Sequence, residues 1–208
     1  MIKSASKSIR KVLGAALDKA STNAFAMTEK SINALPEYFL SVKVAEYLHC
    51  HFRSFTFSME DSISGMAKEI GMDISEEPDC FRLNGKADLI LRGQKRNKLR
   101  HVVEFKRNLG LKGIGNDALR LAWICANTPK DHKAKKNFLV AVTHKSEKLF
   151  EKRTSDIEKL VFDKFGQKIQ VIFEPVDLTS LKSTHKKGMG KPLFGGVWEF
   201  RYVDAPGN

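Results

Sequence analysis

The chain has 208 residues, of which 42% are hydrophobic and 29% are charged, which is enough for one domain with a sizeable core. No apolar run approaches the roughly 20 residues that span a bilayer, so the sequence predicts no membrane segment. Its 36 Lys and Arg residues outnumber 24 Asp and Glu residues, for a formal net charge of +12. This charge favours a polyanionic partner, above all nucleic acid, although many basic proteins bind nucleic acid only nonspecifically.

The cysteine pattern argues against both disulfides and zinc. Cys50, Cys80 and Cys125 are scattered without C-x-x-C spacing, and their number is odd. A reducing, cytoplasmic setting is therefore expected. The segment His49 to His51 also fails as a zinc site, because no second pair of His or Cys residues has suitable spacing to close a tetrahedral site.

Two helices are predicted in the first quarter of the chain. Residues Ser4 to Ala20 have apolar side chains at helical spacing and lysines on the remaining surface, which indicates a packed amphipathic helix. The second helix begins near Pro36, a residue favoured in the first turn, and continues to Phe52.

Glu37 stands out in the second helix. Its helical neighbours are largely apolar, so its carboxylate is expected to point inward and to need a partner. The alternative is an acid of the first turn that only complements the helix dipole. Glu46, on a more polar face of the helix, is the alternative candidate for an acid that contributes to a site, and Glu60 and Asp61 are further acids nearby.

The next segment gives a weaker signal. A short strand over Ser54 to Ser58 and a helix over Ile63 to Ile70 are predicted, with Gly71 as the helix stop. A polar loop follows, and Phe81 to Leu83 begins a strand that leads onward through a turn.

A β-hairpin carrying unexpected charges dominates the centre of the chain. The apolar runs Ala87 to Leu91 and His101 to Phe105 flank a polar turn that contains glycine. Antiparallel pairing about that turn sets Asp88 opposite Glu104, with both carboxylates on one face about 5 Å apart at Cβ. Lys106, two residues beyond Glu104, projects from the same face. A divalent cation between the carboxylates would remove their repulsion.

The second half of the chain alternates helices and strands. A glycine-containing segment, residues 107–116, is expected to be a flexible connection, and Asp117 to Ala126 a helix that covers the sheet. The strand over Asn137 to His144 is predicted to lie parallel to the Glu104 strand. A helix over Ser146 to Phe165 follows. The remaining predicted elements are a strand at Ile169 to Phe173, a basic loop at Lys182 to Lys191 and a last strand near Gly196 to Tyr202.

Asp88, fifteen intervening residues and then Glu104-Phe105-Lys106 resemble the catalytic signature of the PD-(D/E)XK nuclease superfamily. Ala87 stands where the name-giving proline would be. The resemblance implies an α/β fold with a central mixed β-sheet flanked by helices, the restriction-endonuclease-like core. It also implies Mg²⁺ or Mn²⁺ held by Asp88, Glu104, the Phe105 carbonyl and Glu37, with Lys106 acting on the attacking water and on transition-state charge.

The context of the motif gives it weight. The same short pattern, an acid, any residue and Lys, occurs at Asp131 to Lys133 in a polar loop, where it carries no meaning. Structural ion pairing of Lys106 with the two acids is the competing interpretation.

One domain is expected over residues 1–208, with an N-terminal helical decoration at 1–30, a catalytic core at 31–145, and a helix and strands at 146–208 that complete the sheet. The predicted function is a metal-dependent nuclease, most specifically a DNA endonuclease. The alternative is an inactive nucleic-acid-binding module of the same fold. A homodimer would suit cleavage of two strands. The residues expected to contact nucleic acid are Arg96, Lys98, Arg107, Arg120, Lys186 and Lys187.

Overall fold

The computed structural model describes residues 6–74 and 85–203. The helices are α1 (Ser6–Thr28), α2 (Glu37–His51), α3 (Ile63–Glu69), α4 (Leu111–Asn127) and α5 (Glu147–Phe165). The strands are β1 (Phe55–Ser58), β2 (Asp61–Ser62), β3 (Lys86–Ala87), β4 (Leu89–Gly93), β5 (Lys98–Lys106), β6 (Lys136–Thr143), β7 (Ile169–Lys182) and β8 (Pro192–Tyr202). The predicted strand at Phe81 to Leu83 and Cys80 lie outside the described residues.

Six strands form one mixed sheet in the order β1-β4-β5-β6-β8-β7, and β2 and β3 pair separately. Strands β5 and β6 are parallel, and every other neighbouring pair of the large sheet is antiparallel. The α/β class with a mixed central sheet is therefore confirmed, as is the parallel pairing of β5 with β6. The parallel pair arises because α4 connects the two strands as a crossover.

Helices cover both faces of the sheet. On one face, α1 and α2 pack on a core that includes Phe105, while α3, α4 and α5 pack on the other face, where Val102 is buried. Val102 and Phe105 point to opposite faces of the sheet, so β5 is buried on both sides. α1 takes full part in its core, since Ile9, Leu13 and Leu17 have no exposed surface.

Two predicted boundaries differ from the structure. The segment predicted as a flexible connection is helical from Leu111 onward. Gly115 permits close packing there, since a Cβ on it would lie 3.2 Å from Leu160 of α5. The strand predicted to end at Phe173 continues to Lys182 through Pro175. Proline is tolerated there because β7 is an edge strand of the sheet.

Within residues 6–74 and 85–203, none of the helices has the length and apolar character that a membrane crossing requires. Cys50 and Cys125 are free thiols in the same part of the chain.

Candidate active site

The two predicted acids lie where the β4–β5 hairpin ends. Asp88 directly precedes β4, and Glu104 belongs to β5. The pairing of Leu89 with Val103, carried one residue further, sets Asp88 opposite Glu104. The two carboxyl groups are close enough that the charge of Asp88 raises the pKa of Glu104. The predicted opposition of the two acids is therefore confirmed.

Burial dominates the electrostatics of this acid pair. Glu104 is 2% exposed. Desolvation raises the pKa of Glu104 to about 8, against the effect of Arg120 and with the charge of Asp88 adding to the rise. Desolvation also raises the pKa of Asp88, although the Phe105 N–H, which donates to Asp88 Oδ2 at 2.7 Å, acts against it. The pair thus holds a proton at neutral pH unless further positive charge is supplied.

Asp117 of α4 belongs to the same cluster, and the sequence analysis missed it. Arg120 Nη2 donates to Glu104 Oε1 at 2.7 Å and to Asp117 Oδ1 at 2.8 Å. The signal was present in the sequence, because Asp117 shares a helix face with Ile114 and Leu121, both fully buried. An acid on an apolar face needs a partner, which is the argument that singled out the acid of α2.

The expected contact of Arg120 with phosphate has to be corrected. The residue is 7% exposed, and its guanidinium is turned toward Glu104 and Asp117. The cause is its position on the face of α4 that covers the sheet. Arg120 is an internal counterion for the two acids.

Lys106 ends β5 between two carboxylates. Its Nζ lies 2.8 Å from Asp117 Oδ2 and 3.4 Å from Glu37 Oε1. Burial lowers the pKa of Lys106, but the nearby charges of Asp117, Glu37 and Asp88 outweigh it, so the pKa lies above its ordinary value. The lysine is therefore a firmly protonated cation.

Glu37 reaches the end of β5 from the first turn of α2. Its neighbours Leu40, Val44 and Leu48 are buried, as predicted, and its own side chain is 34% exposed. Glu37 Oε2 accepts a hydrogen bond from the backbone N–H of Arg107 at 3.3 Å. The side chain of Glu37 thus contacts Lys106 and Arg107, and its role as a metal ligand stays a prediction. The alternative acids pair elsewhere: Glu46 with Lys43, Glu60 with Lys86 and Asp61 with Arg92.

Asp88 and Glu104 are candidate ligands for a divalent cation. Among residues 6–74 and 85–203, no group of three or more His, Cys, Asp or Glu side chains is arranged to hold a metal ion. Asp88 and Glu104 nevertheless offer two adjoining carboxyl groups. The Phe105 carbonyl lies on the same edge of β5 as its N–H, which faces Asp88. Mg²⁺ suits such a set, because it takes one or two carboxylates and completes its shell with water and substrate oxygens.

The predicted nucleic-acid contacts separate into two groups. Arg96 and Lys98 are exposed at the tip of the β4–β5 hairpin. Lys98 lies six residues along β5 from Glu104, or roughly 20 Å at 3.3 Å per residue. Lys186 and Lys187 are exposed in the loop between β7 and β8.

Arg107 follows Lys106 at the end of β5 and is half-buried. Its guanidinium donates to the carbonyl of Leu35 and lies 3.9 Å from Glu37 Oε2. The residue therefore sits beside the acid cluster.

Comparison of the chain with protein-family models, with curated proteins and with solved structures found no match.

Proposed function

We propose that the chain is a metal-dependent nuclease that hydrolyses phosphodiester bonds, most specifically a DNA endonuclease that uses Mg²⁺ or Mn²⁺. The observation that carries this proposal is the pair Asp88 and Glu104, a half-buried and a buried carboxyl group with raised pKa values beside the protonated Lys106. A structural ion cluster has no need of two acids that adjoin in this way. A site that accepts a cation does need them.

In the proposed mechanism, Asp88, Glu104 and the Phe105 carbonyl are the groups that would hold a divalent cation, and a cation there would supply positive charge to activate water and to neutralise the phosphate. Lys106 presents its ammonium group to the reacting phosphate and stabilises the charge that develops on its oxygens. Because its pKa is raised, Lys106 acts here as a fixed cation and hydrogen-bond donor, and it is poorly suited to remove a proton from water.

Asp117 and Glu37 are positioning residues in this scheme. Their contacts at 2.8 and 3.4 Å hold the Lys106 ammonium group beside the acid pair. Arg120 bridges Glu104 and Asp117 from the interior and limits how far the two acids repel each other.

The test is cleavage of labelled single- and double-stranded DNA and RNA with Mg²⁺, with Mn²⁺ or with chelator. Glu104→Gln and Lys106→Ala are expected to reduce cleavage at least about 100-fold, since the first removes a proposed metal ligand and the second removes the cation that stabilises charge on the reacting phosphate. The matched controls are Asp131→Asn and Lys133→Ala, which alter the same acid-x-Lys pattern in a loop. Cleavage that persists in Lys106→Ala, or that survives chelator, would contradict the proposed site.

One observation favours a second candidate, a nucleic-acid-binding module without turnover. Arg120 already supplies positive charge to Glu104 at 2.7 Å, so the cluster has an internal counterion. Retained binding with no cleavage of any substrate, in either metal, would select this alternative.

A further inference from the structure

A basic pocket of about 590 Å³ opens beside the acid cluster. It lies between the ends of β5 and β6 and the loop that joins β7 to β8. Arg107 lines it and also contacts Glu37, so the pocket and the candidate active site share a wall. The two are therefore neighbours on one surface of the molecule.

The charge of this pocket is one-sided. Its lining includes Arg107, Lys145, Lys187 and Lys191, and none of the described residues that line it is an aspartate or a glutamate. The three lysines are exposed. Like charges around a concavity repel one another, so a bound anion would reduce the electrostatic repulsion among these basic side chains.

Two histidines form one wall of the pocket. The rings of His144 and His185 stack with centroids 5.9 Å apart. Desolvation lowers the pKa of His144, and the neighbouring positive groups His185, Lys191 and Lys145 lower it further. The buried Nδ1 of His185 has no hydrogen-bond partner among the described residues. Leaving a buried polar nitrogen unpaired is costly, so a hydrogen bond to this nitrogen would be favourable.

The pocket is built by long-range contacts. Asn33 Nδ2 contacts His144 Nδ1 at 3.2 Å and donates to Ser183 Oγ at 3.1 Å. An amide nitrogen can only donate, so His144 Nδ1 accepts and the ring hydrogen resides on Nε2, ready to donate to a ligand. Gly188 lets the loop close over the ring, because a Cβ there would lie 2.2 Å from His144 Cδ2.

We infer that this pocket binds a phosphate group of the nucleic-acid chain, next to the phosphate that is cleaved. The inference rests on the proposed function, since it names a subsite of the same substrate. Lysine, arginine and imidazole N–H groups are phosphate donors, and the absence of acids from the described lining leaves nothing to repel the anion. Because Arg107 directly follows Lys106, the bound phosphate sets the register of the strand in the active site.

The first experiment measures binding without turnover. A double variant that combines Lys187→Ala and Lys191→Ala is compared with wild type. Fluorescence anisotropy of a labelled oligonucleotide, in chelator and at several salt concentrations, measures the binding of each protein. Loss of two phosphate contacts is expected to weaken binding about 10-fold or more and to reduce the slope of log affinity against log salt by about 2. The matched control is Lys152→Ala with Lys168→Ala, two exposed lysines away from the pocket, which should change binding less than about 2-fold.

The second experiment identifies the source of the phosphate. The same oligonucleotide is compared with and without a terminal phosphate. A gain in affinity from the terminal group that disappears in the double variant assigns the pocket to a phosphate monoester at a strand end. Equal binding of both forms, weakened equally in the double variant, assigns it to an internal backbone phosphate.

A local signal completes the test. In wild-type protein labelled at histidine, inorganic phosphate is expected to shift the imidazole resonances of His144 and His185 and to leave those of His49 and His51 in place. Equal binding by the double variant and its control, or no shift of His144 and His185 with phosphate, would overturn the inference. If the binding results are as expected but the protein has no nuclease activity, the phosphate-binding pocket is supported and only the proposed catalytic function is contradicted.

Discussion

The charge state of the site depends on residues that surround the motif. Glu104 and Lys106 form the motif, and Arg120 and Asp117 each act on the pKa of one of them against the effect of burial. Arg120 opposes the rise in the pKa of Glu104, and Asp117 holds the proton on Lys106. The network is buried, so removing one member leaves its partners uncompensated.

Replacing Arg120 with methionine tests this network. Arg120→Met should lower the free energy of unfolding by about 3 kcal/mol at alkaline pH, where Glu104 is ionised, because breaking a buried pair strands a charge. The loss should shrink toward pH 6, below the Glu104 pKa of about 8, because the protonated acid needs no counterion. Urea denaturation at several pH values measures both. The control is Arg153→Met, which removes the ion pair with the half-buried Asp156 and should show no such pH dependence.

His101 gives a second test at the scale of one residue. The ring is buried between Phe55 and Phe138, its Nδ1–H donates to the carbonyl of Lys136 at 2.7 Å, and burial lowers its pKa to about 4. The unfolded chain titrates near 6.5 and binds a proton first on acidification. Stability from the neutral ring is therefore complete above about pH 6.5 and is lost as the pH falls toward 4.

His101→Gln, which can keep the donor to the Lys136 carbonyl, should flatten the decline of the free energy of unfolding across that window. Urea denaturation between pH 7 and about 4 measures the slope. The exposed residue His49 supplies the control, and His49→Gln should keep the wild-type slope. An unchanged slope in His101→Gln would contradict the assigned cause.

At the scale of elements, α4 is the helix that the sequence underestimates. Glycines at 110, 113 and 115 favour a loop, yet the helix begins at Leu111 with Gly110 as its N-cap residue. Only Gly115 has a packing role, against Leu160. Gly113 is exposed and has no atom within 4 Å of a Cβ placed there, so its glycine lowers helix stability without a packing gain.

Gly113→Ala should therefore raise the free energy of unfolding by about 0.5–1 kcal/mol, the difference in helix propensity between the two residues. Chemical denaturation measures the change. Gly71→Ala is the control with the opposite expected sign. The φ angle at Gly71 is +68°, which costs an alanine about 1 kcal/mol or more, so this variant should lower the free energy of unfolding. A destabilised Gly113→Ala would contradict the helical start of α4.

For the whole molecule, the positive charge is divided between two ends of the sheet. The acid cluster and the pocket with Lys187 lie at the end of β5, while Arg96 and Lys98 occupy the hairpin tip roughly 20 Å away. A nucleic acid that contacts both must be long enough to span them. At 3.4 Å per base pair, the separation corresponds to about 6 base pairs of duplex.

Arg96→Ala with Lys98→Ala should weaken binding of a duplex of about 25 base pairs and leave binding of a very short duplex unchanged. Anisotropy titrations with both lengths, in chelator, measure the difference. Equal loss at both lengths would mean that the tip and the acid cluster contact the same phosphates. Sedimentation of the free protein tests the separate expectation of a homodimer.

The sequence by itself determined the elements that local periodicity controls. Alternating and helical patterns predicted α2, the hairpin and the parallel partner of β5. The register of Asp88 with Glu104 followed from antiparallel pairing about the predicted turn, although the pairing shifts between Leu91 and Arg92. The sequence also indicated that Glu37 needs a partner, because the face of its helix is apolar. The contacts that the structure shows for its carboxylate are with Lys106 and Arg107.

Only the tertiary structure decided the surroundings of the acids. Lys106 meets Glu37 across 69 residues, and Asn33 meets His144 across 111. Such contacts depend on how the layers pack, and no local pattern encodes them. For the same reason Arg120 is an internal counterion, although its sequence setting suggested a phosphate ligand, and the basic pocket exists only where the ends of two strands and a distant loop come together.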